Sequence, residues 1–380
     1  MASTAKHDEQ RSRRREVAFA VLTIIISATI CLSLAEYGYR WYLGRIQSSE
    51  SIDPGLLRYH GRLGWALTPG WQGRHSHHDF DVSYSIGNDS FRLQAGEVNK
   101  PATIRRIGIV GDSFSFGLGV NDSDIFTEII NRQSAELAVK NMSIPGYSTD
   151  QQLLLLESRR GLLKFDDVIL VVYLANDLLD NMLDYPLQVD QAKPRYVLNN
   201  NKLVLTNYPV PRETKPAQLR SMTLAGVVFG DSLDSVAPRG MFSRSALWRR
   251  LVPTSPALNA DETRYMLDTN LHEQKLLMQA LLLEMKTLLR EQGIAFHIAA
   301  LSGQSLVVNP SSPSALFQDY VLEFLQGFSQ ENDISFINIA EEMRSKNAAA
   351  GKRWYHPNEG HLNASGHEKV AEILLQYLAH

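Results

Sequence analysis

Four short segments of this 380-residue chain carry side chains that could cooperate in a reaction. Gly111-Asp112-Ser113-Phe114 ends an apolar run, Ile107 to Val110, and Pro145-Gly146-Tyr147-Ser148 follows a second, Val139 to Ile144. Ala175-Asn176-Asp177 closes a third, Val168 to Tyr173. Near the C-terminus His361-Leu362-Asn363-Ala364-Ser365-Gly366-His367 precedes a last helix, for which Asn363 is a good N-cap. A serine hydroxyl is inert at neutral pH unless a base takes its proton, and imidazole is the side chain that titrates near there. Gly111 lets the chain turn sharply off its strand and leaves the Ser113 hydroxyl near the top of a sheet. Such parts serve nucleophilic chemistry once a fold brings them together.

The elements that would do so are readable from Arg105 onward. Strands are expected at Ile107 to Val110, about Val139 to Ile144, Val168 to Tyr173, Ile294 to Leu301 and Phe336 to Ile339. Helices are expected between them at Phe126 to Leu137, Gln151 to Leu163, Glu262 to Gln292, Ala315 to Ser329 and Ala364 to Leu378. This alternation predicts an α/β fold, a three-layer α/β/α sandwich with a mostly parallel central sheet. In such sheets ligands bind beyond the carboxyl ends of the strands, where three of the four segments fall. The period is interrupted over about residues 183–260, which reads as an insertion. There Tyr196-Val197-Leu198 and Leu203-Val204-Leu205 flank a turn as a β-hairpin. Residues 46–103, turn-rich and broken by Gly61, Gly64, Pro69, Gly70, Gly73 and Gly87, read as a lead-in with a few strands.

Composition limits the alternatives. With 44% hydrophobic, 21% charged and 9% aromatic residues the chain is ordinary globular protein, neither disordered nor collagen-like. A net charge of −3 gives no global basic field for nucleic acid. The one cysteine, Cys31, cannot form an internal disulfide. Length alone suggests two or three domains, at about 150 residues each. The averages hide one segment, for Val17 to Ala35 carries no charge and would span about 28 Å as a helix, close to the hydrocarbon thickness. Arg11, Arg13, Arg14 and Arg15 precede it, and Tyr37, Tyr39, Trp41 and Tyr42 follow. By the positive-inside rule residues 1–16 are a cytoplasmic tail, 17–35 a transmembrane anchor, and the rest lies outside. Ser33-Leu34-Ala35 also resembles a signal-peptide cleavage site, which is the rival reading. Without the tail and anchor, one α/β domain over 104–380 with its lead-in remains.

The four segments in this order resemble the SGNH hydrolases, also called the GDSL esterase and lipase superfamily, whose name gives those residue types. Leu63-Gly64-Trp65, Pro69-Gly70 and Phe91-Arg92 resemble the lead-in of its membrane-anchored bacterial members. The likeness covers roughly residues 60–378. It implies an SGNH or flavodoxin-like sheet and a serine esterase. Ser113 would be the nucleophile and His361 its base; the oxyanion hole would be the N–H groups of Ser113 and Gly146 with the Asn176 amide. No cofactor or metal is implied. The family usually has an aspartate three residues before the histidine, and this chain has Asn358. Glu359, two residues before His361, is the candidate acid in its place. A Ser-His dyad, an Asn358 that orients the ring through its carbonyl, and an inactive member are the alternatives.

Other motifs have plainer readings. Gly230-Asp231-Ser232-Leu233 spells the family's name motif inside the insertion, yet no glycine and asparagine follow at suitable strand ends, so it reads as chance. His356 and His367 read as structural or surface residues. His75, His77, His78 and Asp79 could suggest a metal, but without a further ligand they read as a solvated polar strand. The function expected is a membrane-anchored esterase acting through a Ser113 acyl-enzyme on O-acyl esters, O-acetyl above all, of envelope polysaccharide. An O-acyltransferase using the same acyl-enzyme, and an inactive scaffold that binds glycans or envelope proteins, are the other readings.

Overall fold

The computed structural model describes residues 2–47, 49–98, 100–101, 103–219, 260–344 and 353–379, with Val228 and Ser245. The chain forms two compact units, Met1–Ser49 with Ala237–Thr254, and Glu50–Val236 with Ser255–His380. The motif at residues 230–233 lies outside the described residues.

The first unit is dominated by one helix, Ala2–Gln47. Its stretch Arg13–Ile46 is long and apolar enough to cross a membrane, with a mean hydropathy of 2.5 over its most apolar window. Phe19, Ile24, Leu32 and Leu34 are all more than half exposed. The hydroxyls of Thr23 and Thr29 donate to the carbonyls of Phe19 and Ile25 at 2.9 and 2.8 Å, so these polar groups are satisfied within the helix. Such a helix is consistent with a single anchor or with a signal sequence.

The second unit opens with five short strands: β1 (Ser51–Ile52), β2 (Leu57–His60), β3 (Gly64–Leu67), β4 (Gln72–His77) and β5 (Phe80–Ser85). They form an antiparallel sheet of order β1-β4-β5 and an antiparallel pair β2-β3. The main sheet follows with β6 (Arg105–Val110), β7 (Leu137–Asn141) and β8 (Asp167–Tyr173). A hairpin, β9 (Arg195–Asn199) and β10 (Lys202–Thr206), turns through Asn200 and Asn201 at φ 50° and 59°, the left-handed pair a tight type I′ turn requires. The sheet is completed by β11 (Ala295–Leu301) and β12 (Ser335–Ile337).

The five strands β12-β11-β8-β6-β7 are all parallel. Every residue of β8 is buried, as expected for a Val- and Ile-rich strand covered on both faces. Helices Thr149–Ser158, His272–Arg290 and Pro313–Glu331 pack one face through Leu153, Leu281 and Phe317. Helices Phe126–Gln133 and Ala364–Leu378 pack the other through Ile129 and Val370. Three layers result. In chain order the strands run 2-1-3-4-5, so the winding reverses between β6 and β8, and the crevice above that reversal is where an open α/β sheet takes its ligand.

Some expected boundaries shift. The helix expected over 262–292 is two, Ala260–Asn270 and His272–Arg290, joined at Leu271, whose ψ of 12° leaves the helical range. Hydrogen bonds from Leu271 N to Leu267 O and from Lys275 N to Leu271 O carry the helical path across, so the apolar period persists. Ile339 begins a helix, Ile339–Arg344, and does not extend the last strand. The helix expected to reach Leu137 stops at Gln133 because Leu137 already pairs with Arg105 in the sheet.

Candidate active site

The β6 loop brings Ser113 to the sheet's carboxyl end as the first residue of a single helical turn, Ser113–Phe116. Gly111 can only be glycine, since a Cβ there would lie 2.5 Å from Ser115 Oγ and 3.1 Å from the Val171 carbonyl. Asp112 caps the turn, its Oδ1 accepting from the Phe114 N–H at 2.9 Å. Burial raises the Asp112 carboxyl to about 6, although the charge of nearby His361 pulls it the other way. The turn is fastened from behind by Arg92, which is fully buried. Its guanidinium donates to the carbonyls of Phe116, Gly117 and Val120 at 2.9, 2.6 and 2.6 Å and to Asp122 at 2.7 Å. It also lies over the Tyr84 ring at 4.3 Å, where a cation is attracted to the π face.

The second loop is positioned by the lead-in. Trp65 Nε1 donates to the Pro145 carbonyl at 2.9 Å, and Tyr147 Oη donates back to the Trp65 carbonyl at 2.6 Å. Gln151 reaches the Leu63 carbonyl at 2.8 Å. Gly146 adopts φ 78°, and a Cβ there would lie 2.5 Å from Val189 of the insertion. The insertion loop is held by a fully buried ion pair between Lys193 and Asp150. In the third loop, Asn176 donates one amide hydrogen to Asp180 Oδ2 at 2.9 Å. Because a carboxylate only accepts, this contact fixes which way the amide faces and leaves its second N–H for another acceptor.

The fourth loop completes the set. His361 Nε2 lies 2.7 Å from Ser113 Oγ, and its Nδ1 lies 2.5 Å from Glu359 Oε1. The other oxygen of Glu359 accepts from the His361 backbone N–H at 2.9 Å, so a two-residue separation closes a small ring around the acid and the imidazole. Burial pushes the Glu359 carboxyl up, but its hydrogen bond and charge contact with His361 outweigh that and hold it below the ordinary value. It is therefore anionic at neutral pH and can only accept, so in this contact His361 Nδ1 is the donor. Phe114 stacks at 3.9 Å on Tyr173 and packs tilted against the His361 ring, with centroids 4.3 Å apart. Asn363 caps the following helix, accepting from Gly366 N at 3.1 Å.

Asn358 does not face the imidazole. Its side chain and backbone donate to Asp79 at 2.6 and 2.8 Å, and the Glu359 backbone donates to Asp79 at 2.9 Å. This corrects the reading of His75 to Asp79 as a solvated polar strand. His75 is fully buried, bonded to Tyr84 Oη at 2.7 Å, and the side chains of His77 and Asp79 are 6% and 3% exposed. The β4–β5 hairpin is packed against the His361 loop through Phe80, whose ring lies 4.8 Å from that of His356. His356 and His367 are both buried, the first bonded to the Gly119 carbonyl at 3.1 Å and the second accepting from Phe126 N at 3.4 Å. Among the described residues no His, Cys, Asp and Glu cluster is arranged to hold a metal ion.

A cavity of about 1190 Å³ lies elsewhere, at the amino ends of β6 and β8, lined by Arg105, Lys140, Arg159 and Phe165. Two of its cations face acids, Arg105 with Asp167 and Lys140 with Asp89, each at 2.7 Å. None of the four catalytic-end segments lines it.

No family model matches the sequence, and no curated protein matches it. Among solved structures it is similar to a lipolytic protein of the G-D-S-L family from Veillonella parvula, at 13% identity over 72% of this chain and 97% of that one, with a TM-score of 0.36. A lipase/acylhydrolase from Enterococcus faecalis is 14% identical over 72% of this chain and 95% of that one, with a TM-score of 0.34. A catalytic mutant of an acetylxylan esterase from Geobacillus stearothermophilus is 12% identical over 73% of this chain and 95% of that one, with a TM-score of 0.36. The strand order and the contact between His361 Nε2 and Ser113 Oγ stand on the chain's own geometry. The fold is a three-layer α/β/α sandwich on a five-stranded parallel sheet. In this frame the sequence reading did not foresee the contact of Asp79 with the His361 loop or the fastening role of Arg92. The alternating His75, His77 and Asp79 were a visible signal for the first, and Phe91-Arg92 for the second.

Proposed function

We propose that the chain is a membrane-anchored serine esterase that cleaves O-acyl esters through an acyl-enzyme on Ser113. The observation that supports this best is the unbroken path from Ser113 Oγ through His361 to Glu359, at 2.7 and 2.5 Å. Ser113 Oγ attacks the ester carbonyl while His361 Nε2 takes its proton, and the anionic Glu359 stabilises the imidazolium that forms. The negative oxygen of the tetrahedral intermediate is met by the N–H groups of Ser113 and Gly146 and by the free amide hydrogen of Asn176. Collapse expels the alcohol, which leaves with the proton from His361. Water, deprotonated by the same nitrogen, then releases the acid and restores Ser113. Glu359 is the third member of the triad in this reading, and Asn358 has no place in it.

The helix Ala2–Gln47 supplies the anchor, with 1–16 in the cytoplasm, 17–35 in the bilayer, the lead-in over 46–103, and the catalytic domain over 104–380 outside. O-acetylated envelope polysaccharide is then the substrate class within reach. A fluorophosphonate probe tests the chemistry. The parent chain is expected to be labelled and Ser113→Ala to be blank at unchanged melting temperature. A folded parent that takes no label overturns the esterase.

A further inference from the structure

We infer that Asp79 is a positioning residue for the acid–base loop, and that Asn358 is the amide donor its carboxylate requires. The inference rests on the esterase reading above and assigns a function to the place where this chain departs from its family. The two oxygens of Asp79 are engaged by three N–H groups, those of the Asn358 side chain, the Asn358 backbone and the Glu359 backbone. Consecutive backbone N–H groups closing on one carboxylate fix the direction in which the chain leaves Asp79, and so fix where the Glu359 side chain starts. Its hydrogen bonds to Asn358 and Glu359 hold the Asp79 carboxyl below its ordinary value against the opposing effect of burial.

The carboxylate is itself held still. Asp79 lies in the turn between His77 and Phe80, which pair across the hairpin, and its own N–H donates to His77 Nδ1 at 3.1 Å. The same hairpin reaches the nucleophile, since Tyr84 Oη accepts from the Gly119 N–H at 2.8 Å, just beyond the turn that carries Ser113. One rigid ribbon therefore touches both halves of the site, and it sets the spacing of Ser113 from the loop that must meet it. A carboxylate at position 358 would replace the donor on Asp79 with a like charge. The acid that the family pattern predicts at this position is incompatible with Asp79.

The test uses the detergent-solubilised full chain and hydrolysis of p-nitrophenyl acetate, with Asp79→Asn, Asn358→Asp and the double exchange. Each single variant is expected to lose about tenfold to a hundredfold in kcat with KM within about twofold, as for a displaced catalytic group. The double exchange restores a donor facing an acceptor and should recover to within about fivefold of the parent. The titratable neighbours of the imidazole are Glu359 and Asp112, with His356 on the same loop and His367 in the helix that follows. A withdrawn Glu359 favours the imidazolium less, so the acidic limb of kcat/KM should move to lower pH in the single variants and return in the double. Single variants that match the parent in rate and pH limb overturn the inference. So do losses that merely follow the fraction of folded protein and are not repaired by the exchange. A parent inactive on the ester and towards fluorophosphonate instead defeats the esterase reading itself.

Discussion

The two halves of the site are held by different kinds of restraint. Ser113 stands on a turn fastened by a buried guanidinium that satisfies three carbonyls and a carboxylate. His361 stands on a loop held to the β4–β5 hairpin by the carboxylate of Asp79, 279 positions before Asn358, and to the chain beyond Ser113 by the contact of His356 with the Gly119 carbonyl. Removing the first fastening strands several buried acceptors, which is a cost to folding. Removing the second mostly moves a side chain, which is a cost to turnover. On the proposed mechanism, the nucleophile's turn is fastened by a buried cation, and the base's loop by Asp79 together with the buried Tyr355 and Leu362.

Three changes would break or sharpen that contrast. The largest effect is expected from Glu359→Gln. Losing the charge that stabilises the imidazolium should lower kcat by about 10⁴-fold, with a melting temperature near that of the parent. A variant that turns over like the parent would remove Glu359 from the site. Arg92→Met should act oppositely, lowering unfolding free energy by about 3–5 kcal/mol in denaturant titration. The fraction that remains folded should still take the fluorophosphonate label. If stability is unchanged while labelling is lost, the division between a structural and a chemical half is wrong. The smallest effect concerns acid stability. Burial depresses His367 to about 3 from its ordinary 6.5. The unfolded chain then takes up a proton that the folded one refuses, so stability is complete above about pH 6.5 and declines as pH falls toward 3. His367→Asn, which keeps an acceptor for Phe126 N but cannot titrate, should flatten that decline in denaturation midpoints measured at pH 7 and pH 5. An unaltered slope would show that His367 is not its source.

Much of the frame could be read from residues that report on their neighbours. The runs Ile107 to Val110 and Val168 to Tyr173 are apolar without alternation, which only a doubly covered parallel strand tolerates, and they place Ser113 and Asn176 at one rim. Asn363 was legible as a cap because capping is a contact between residues three apart. Glu359 remained one choice among several, since nothing local says whether a carboxylate two residues before a histidine turns toward it. Asp79 could not be read as a clamp, because a turn aspartate looks the same whether it faces water or a loop at residue 358. Arg92 had the same difficulty. The carbonyls it fills belong to a turn whose path is set by tertiary packing, not by any spacing in the sequence.

The separation between Asp79 and Asn358 also has a temporal side. A ribosome extends the chain from its N-terminus, so Asp79, Ser113 and Gly146 are all made long before Glu359 and His361. On the proposed mechanism, a nascent chain that has released Ser113 but not His361 is still inert towards esters. On that mechanism, and with the helix Ala2–Gln47 long and apolar enough to cross a bilayer, hydrolysis waits until the 248 positions that separate Ser113 from His361 have followed the nucleophile out.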